Sequence, residues 1–266
     1  MPNPPALLAV DQLMPLLNTY WWPFCRLLAL FSLAPMFGHK ALPLRPRVLL
    51  ALVLALSLGA SLPAAPAIDA LSLQGLLATL EQIAIGALLG LSLQLVFVVF
   101  ALVGEVISTQ MGMTMARYND PSNGVSSASI VTQLYFILLV LLFFSIDGHL
   151  LSVSVFYQSY LAWPVGSGLH YLGFETLIYA FAWVLSAAVL ITLPVMFCMT
   201  LVQFGFGLLN RISPSMNLFS LGFPMAILVG LLCILLTLPD MPGSYLHLTR
   251  ELLDNLGTLL RTPGHE

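Results

Sequence analysis

QIAIGALLGLSLQLVFVVFALVG, from Gln82 to Gly104, contains no Asp, Glu, Lys or Arg. A helix needs about 20 mostly apolar residues to cross the ~30 Å hydrocarbon core of a bilayer, and this stretch is long enough. Five others match it: Val48–Ile68, Pro121–Ile146, Gly148–Phe174, Thr176–Asn210 and Ile212–Pro239. A charge held in hydrocarbon costs a few kcal/mol, so its repeated absence points to lipid or to a comparably dry interior. Charged residues make up 7% of the chain, against ~25% in soluble domains. The pattern predicts an all-α, multi-helix integral membrane protein.

The 266 residues accommodate these helices and little else, so a single membrane domain is expected. The net charge of −3 comes from few groups, and no basic run suited to nucleic acid is present. Cys25, Cys198 and Cys233 are odd in number and lie in apolar stretches, where thiols pack rather than form a disulfide framework. The start, MPNPPALLAVDQLMPLL, lacks the basic region of a signal peptide, so the first apolar segment is expected to stay as an anchor.

That first segment runs from about Leu13 to Phe37 and carries Arg26, which must face protein, water or headgroups. The next turn holds Lys40, Arg45 and Arg47, three of the eight basic residues. It is the orientation signal, and the positive-inside rule places it in the cytoplasm. Alternation from there puts Arg117 and Arg211 on the inner side, and Arg250, Arg261 and both termini outside. Further segments are expected at Val48–Leu62, Leu76–Ser108, Ser127–Ile146, Leu150–Trp163, Thr176–Asn210 (with Pro194 as a kink) and Ser215–Leu238. The third would be roughly 50 Å long, beyond the thickness of the hydrocarbon. Such a helix suits a protein whose neighbours, rather than lipid, cover part of it. In the tail, Tyr245, Leu248, Leu252, Leu256 and Leu259 recur at helical spacing between charges. This amphipathic helix can lie at the membrane interface, pack on a partner or fold onto its own bundle.

The acids and His that could serve chemistry, Glu81, Glu105, Asp120, Asp147, His149 and Glu175, mostly sit at segment ends, where they cap or are solvated. Asp147-Gly148-His149 reads as a turn. No paired intramembrane aspartates, HExxH or nucleotide loop is present, and no cofactor or metal is implied. Catalysis is therefore not expected. Gln82, Gly86 and Gly90 make one stripe of the third helix that admits a close neighbouring backbone.

The most unusual stretch is GEVISTQMGMTMARYNDPSNG, from Gly104 to Gly124, too polar for a span and too apolar for a solvated loop. Its methionines alternate with small residues, and Met can refill an irregular gap after moving. At membrane depth such a loop must be buried in protein or line an aqueous cavity.

Taken together, several motifs resemble the FliR family of the bacterial flagellar type III secretion apparatus. These are Gly104-Glu105, Gln110-Met111-Gly112, Ala116, Asp120-Pro121, Ala34-Pro35-Met36-Phe37-Gly38 with Pro43 and Arg47, and Glu81 with Gly86 and Gly90. Asp147-Gly148-His149, Ser159 with Pro164, and Asn210-Arg211-Ile212-Ser213-Pro214 with Asn217 and Phe219 extend the likeness over nearly the whole chain. The resemblance implies a non-enzymatic export-gate subunit of the bacterial inner membrane and flagellar basal body. It would join several FliP-like and FliQ-like subunits in a helical hetero-oligomer, with FlhB-like and FlhA-like proteins as further partners and unfolded exported proteins as cargo. Residues 1–175 would be the FliP-like part, and 176–266 a FliQ-like hairpin with the amphipathic C-terminal helix. Parts of the long helices would extend above the bilayer toward the periplasm. The re-entrant pore plug would comprise Gln110, Met111, Gly112, Met113, Thr114, Met115, Ala116, Arg117 and Tyr118. Virulence-secretion homologues share much of the pattern. A small-molecule secondary transporter would instead need ionisable groups near the midplane and often a repeated half, and the acids here are peripheral.

Overall fold

Ser72 accepts a hydrogen bond from Gly75 N at 2.9 Å, capping the start of a helix that then runs to Gln110 in a computed structural model of the chain. The structure describes residues 5–38, 43–59, 61–63, 68–70, 72–113, 129–168, 172–212 and 218–261. The elements are α1 (Pro5–Leu33), α2 (Leu44–Gly59), α3 (Leu73–Gln110), α4 (Ile130–Ser145), α5 (Gly148–Ala162), α6 (Leu172–Ile212), α7 (Leu218–Thr237), a 3-10 turn (Leu238–Asp240) and α8 (Met241–Arg261). No strand occurs among the described residues. With 38 and 41 residues, α3 and α6 are longer than the expected segments. At 1.5 Å per residue each spans roughly 60 Å, about twice a hydrocarbon core. Leu73–Gln110, Ile178–Ile212 and Gly222–Gly257 are each long and apolar enough to cross a membrane.

The chain divides into two compact units. One comprises Met1–Gln94, Asp147–Ala180 and Leu252–Glu266, the other Leu95–Ile146 and Phe181–Glu251.

In the first unit, α1 supplies the core with Trp22, Leu27, Leu30 and Phe31, all buried. The helix α2 packs on α1 and buries only Ala51 and Ala55, a narrow stripe one turn apart. Small side chains there let the two helices approach, and Gly59 completes the contact: a Cβ on it would lie 2.5 Å from the Tyr20 ring. The start of α3 is tied to α1 at two points. Trp21 Nε1 donates to Thr79 Oγ1 at 3.0 Å, and Ala70 N donates to Asn18 Oδ1 at 3.1 Å.

In the second unit, α4 buries Val131, Tyr135, Leu139 and Phe143, one residue every four, which is a single helical face. Ser129 caps α4 by accepting from Thr132 N at 3.0 Å. Phe97 meets Phe136, Phe143 and Tyr245 edge to face at 6.3, 6.1 and 6.2 Å between ring centres. Phe100 stacks on Tyr135 at 6.5 Å. These contacts settle the reading of the tail. The stripe Met241, Tyr245, Leu248 of α8 is buried on its own chain. Gly104 brings α3 against α4: a Cβ there would lie 2.7 Å from Thr132 Cα.

Candidate functional site

The end of α3 lies in the second unit and is shaped by Gly112. Its φ of 75° is a left-handed conformation that costs glycine nothing, and it stops the helix. Met111 N donates to Ile107 O at 3.0 Å and Gly112 N to Thr109 O at 3.0 Å, satisfying two of the last carbonyls. Met111 is fully buried. Its thioether sits on Gly230 of α7, where a Cβ would overlap Met111 Cγ and lie 2.7 Å from Sδ. Phe223, two turns before Gly230 on the same face of α7, lies over Gly112, 3.5 Å from where its Cβ would be. From α6, Gln203 Nε2 donates to Gln110 O at 3.0 Å and to Gln110 Oε1 at 3.2 Å. Three helices thus hold the point where the Met-rich stretch begins. Gln110, Met111 and Gly112 are placed by this arrangement, and Met113 is the last described residue of the stretch. Thr114, Met115, Ala116, Arg117 and Tyr118 lie outside the described residues, as does the Asn119–Gly124 turn.

In the first unit, the stripe of Gln82, Gly86 and Gly90 faces α1. A Cβ on Gly86 would overlap Arg26 O and lie 2.9 Å from Ala29 Cβ, and one on Gly90 would lie 2.5 Å from Leu30 O. Gln82 is fully buried and accepts from Arg26 Nε at 2.8 Å. Arg26 is fully buried as well. Its Nη2 donates to Trp163 O at 2.8 Å, at the carbonyl end of α5, and Nη1 reaches Ser159 Oγ at 3.4 Å. The guanidinium lies 4.7 Å from the centre of the Tyr160 ring. A planar fork carried by α1 reaches α3 and the end of α5 at once, a geometry that an ammonium does not match. The helix end supplies the negative pole of its dipole.

Of the orientation residues, Arg45 is exposed, Arg47 is half-buried and Lys40 lies outside the described residues. Among the acids, Glu105 accepts from Thr132 Oγ1 at 3.3 Å, beside the Gly104 contact. Asp147 turns the chain between α4 and α5 with a φ of 57°. No group of three His, Cys, Asp or Glu that could hold a metal occurs among the described residues. A cleft of about 330 Å³ in the second unit is lined by Phe100, Ile107, Tyr135, Pro194, Thr237 and Asp240. The Arg26 centre and the seats at Gly230 and Gln203 were not singled out by sequence reasoning. The signal for Arg26 was a charge in an apolar segment, which names a need for partners without naming them.

The model of the bacterial export proteins, family 1, matches residues 17–252. The chain is 32% identical over 244 residues to the flagellar biosynthetic protein FliR of Pectobacterium carotovorum subsp. carotovorum, covering 91% of this chain and 93% of that one. It is 29% identical to FliR of Escherichia coli (strain K12), over 94% of this chain and 95% of the relative. The likeness to FliR of Bacillus subtilis (strain 168) is 26%, over 85% and 88%.

Proposed function

We propose, on the premise that the chain belongs to the bacterial export proteins, family 1, that it is a non-enzymatic subunit of the flagellar type III protein export gate. The observation that carries this reading is the similarity along nearly the full length to proteins named flagellar biosynthetic protein FliR. In this reading the chain sits in the bacterial inner membrane at the flagellar basal body and passes unfolded substrates, with residues 110–118 sealing the pore at rest. Its partners are FliP-like and FliQ-like subunits, FlhB-like and FlhA-like proteins, and membrane lipid.

The distribution of apolar surface supports assembly. On α6, Val184, Ala188, Thr192, Val195 and Met199 are buried, while Leu185, Val189, Leu193, Phe197, Leu201, Phe204 and Leu208 are exposed along the opposite face. On α7, Leu228, Leu231, Leu232, Leu235 and Leu236 are exposed as well. These two helices belong to the FliQ-like part in the proposed division at about residue 175. Such continuous apolar faces need lipid or neighbouring helices over them. Neighbours account for helices about twice as long as a bilayer is thick.

Co-expression with FliP-like and FliQ-like subunits, followed by purification on a tag carried by this chain and mass measurement of the intact complex, tests the reading. A stable hetero-oligomer in which this chain persists, and from which it is degraded when the partners are omitted, is the expected result. Purification as a stable free chain, with neither partner retained, would overturn it.

A further inference from the structure

We infer that the groove between α6 and the stretch from Thr237 to Glu251 receives a basic amphipathic helix of a neighbouring subunit, whose cations pair with Asp240 and Glu251. This rests on the reading of the chain as one subunit of a hetero-oligomer.

Two hollows of the second unit form this groove. One of about 330 Å³ is lined by Phe100, Tyr135, Pro194 and Asp240, and one of about 520 Å³ by Trp183, His247 and Glu251. Leu190, Ile191 and Ser244 line both, so the two lie end to end. Each outer end therefore has a carboxylate and an aromatic ring, a pairing that suits a cation, and the middle is apolar. Asp240 is exposed, and the Glu251 side chain is 42% exposed although His247 Nδ1 lies 3.9 Å from it. No Lys or Arg lines either hollow, the exposed Arg250 included. From Asp240 to Glu251 the chain rises about 16 Å over about three turns, which returns the two acids to one face.

This wall needs a cover. Leu190 is exposed and continues into exposed Leu185, Val189 and Leu193, an apolar strip that calls for lipid or a neighbouring helix. Whatever lies along the groove passes over both carboxylates, and a covered carboxylate without a cation is costly. Hydrocarbon tails bring no cation and an amine-headed lipid brings one, whereas the acids stand at both ends. A helix with a Lys or Arg at each end of an apolar stripe answers both at once. A Cβ on Gly243 would meet nothing within 4 Å, so the groove is open there. Pro194 has no N–H to give to Leu190 O, which leaves that carbonyl for a donor from outside α6.

The test uses the complex co-expressed with FliP-like and FliQ-like subunits, with p-benzoylphenylalanine in place of Leu190. Irradiation of the purified complex should join this position to a partner segment that carries Lys or Arg on both sides of an apolar stripe, identified by mass spectrometry of the digest. An adduct with phospholipid, with this chain itself or with a segment lacking two cations would overturn the proposal. Gly243→Trp fills the groove and should abolish the adduct. Asp240→Asn and Glu251→Gln should each lower recovery of the captured subunit about fivefold at low salt, the upper end for an exposed ion pair, and by less at high salt. Asp240→Lys with Glu251→Lys should lower it further, and acids in place of the two cations of the captured segment should restore it. Unchanged recovery with both acids reversed, or a loss that the partner's acids do not restore, would count against the pairing. A complex that forms but yields no adduct at Leu190 sinks the groove alone, whereas recovery of this chain free of both partners sinks the subunit reading itself.

Discussion

Arg26 and Gln82 lie 56 residues apart in sequence and meet through a 2.8 Å hydrogen bond between fully buried side chains. The guanidinium is held by an amide oxygen, the carbonyl end of α5 and a ring face, with the field of Glu81 added. Removing Gln82 leaves the buried Arg26 Nε–H without its acceptor. Gln82→Leu is expected to destabilise the protein by about 1.5–3 kcal/mol, the range for a bond to a charged group. Arg26→Lys should cost a similar amount, since a point charge cannot serve all three partners. The double variant Arg26→Met, Gln82→Leu should lose less than the sum of its single variants, because the buried charge goes with its partner. Thermal melting of the detergent-purified complex decides the matter, and strictly additive losses would count against a coupled centre.

Glycines on α3 and α6 should respond with opposite signs. At Gly86 and Gly90 a new Cβ meets the α1 backbone at Arg26 O and Leu30 O, which cannot swing aside. Gly86→Ala or Gly90→Ala is therefore expected to cost about 3 kcal/mol, the upper part of the overpacking range, with Leu worse at either site. Gly205 and Gly207 have nothing within 4 Å of a Cβ. Alanine there should stabilise the helix by about 1 kcal/mol, the propensity difference. Melting of the complex purified with its partners measures this sign. If Gly205→Ala instead lowers recovery of the complex, a neighbouring helix approaches there in the assembly.

Charge-free length and capping chemistry made the elements legible. The α4 face at Val131, Tyr135, Leu139 and Phe143 is a local repeat and needs no tertiary knowledge. The start of α3 moves from the expected Leu76 to Leu73 because Ser72 caps it, and its end moves from Ser108 to Gln110 because Gly112 is the first residue to take a positive φ. The partners of Arg26 were not legible, since Trp163 lies 137 residues away and its carbonyl is available only because α5 ends there. The seat of Met111 was hidden for a similar reason. Gly230 sits in one of the most apolar helices, where a glycine reads as mere composition until the facing side chain is known.

The first turn of α2 carries Arg45 and Arg47 and no acid. Positive charge at a helix N-terminus opposes the dipole, typically by about 0.3–1 kcal/mol each, so helix stability does not explain them. The positive-inside rule offers the reading we propose, a turn on the cytoplasmic side. With the three native cysteines replaced by Ser, His39→Cys is expected to resist an impermeant maleimide in intact cells and to react after lysis. Labelling in intact cells would place this turn outside the cytoplasm.

The last prediction concerns the seal. A gate for extended chains must hold back ions when idle, which calls for side chains that deform without leaving a fixed void. Met111, Met113 and Met115 suit that need because thioether chains repack at low cost. Arg117 more naturally anchors the segment to a carboxylate or carbonyl than meets cargo, since an unpaired buried charge is costly. The Gln203 bond to Gln110 lies outside a deletion that begins at Met111, so α3 keeps its tie to α6 when the segment is removed. Deleting Met111 to Tyr118 should accordingly leave the complex assembled but permeable to small ions and solutes, with export impaired less than sealing. Conductance of cells expressing the assembled deletion complex checks this against the undeleted one. Equal tightness would mean that these residues are a packed connector between helices, and that the resting barrier lies on another subunit.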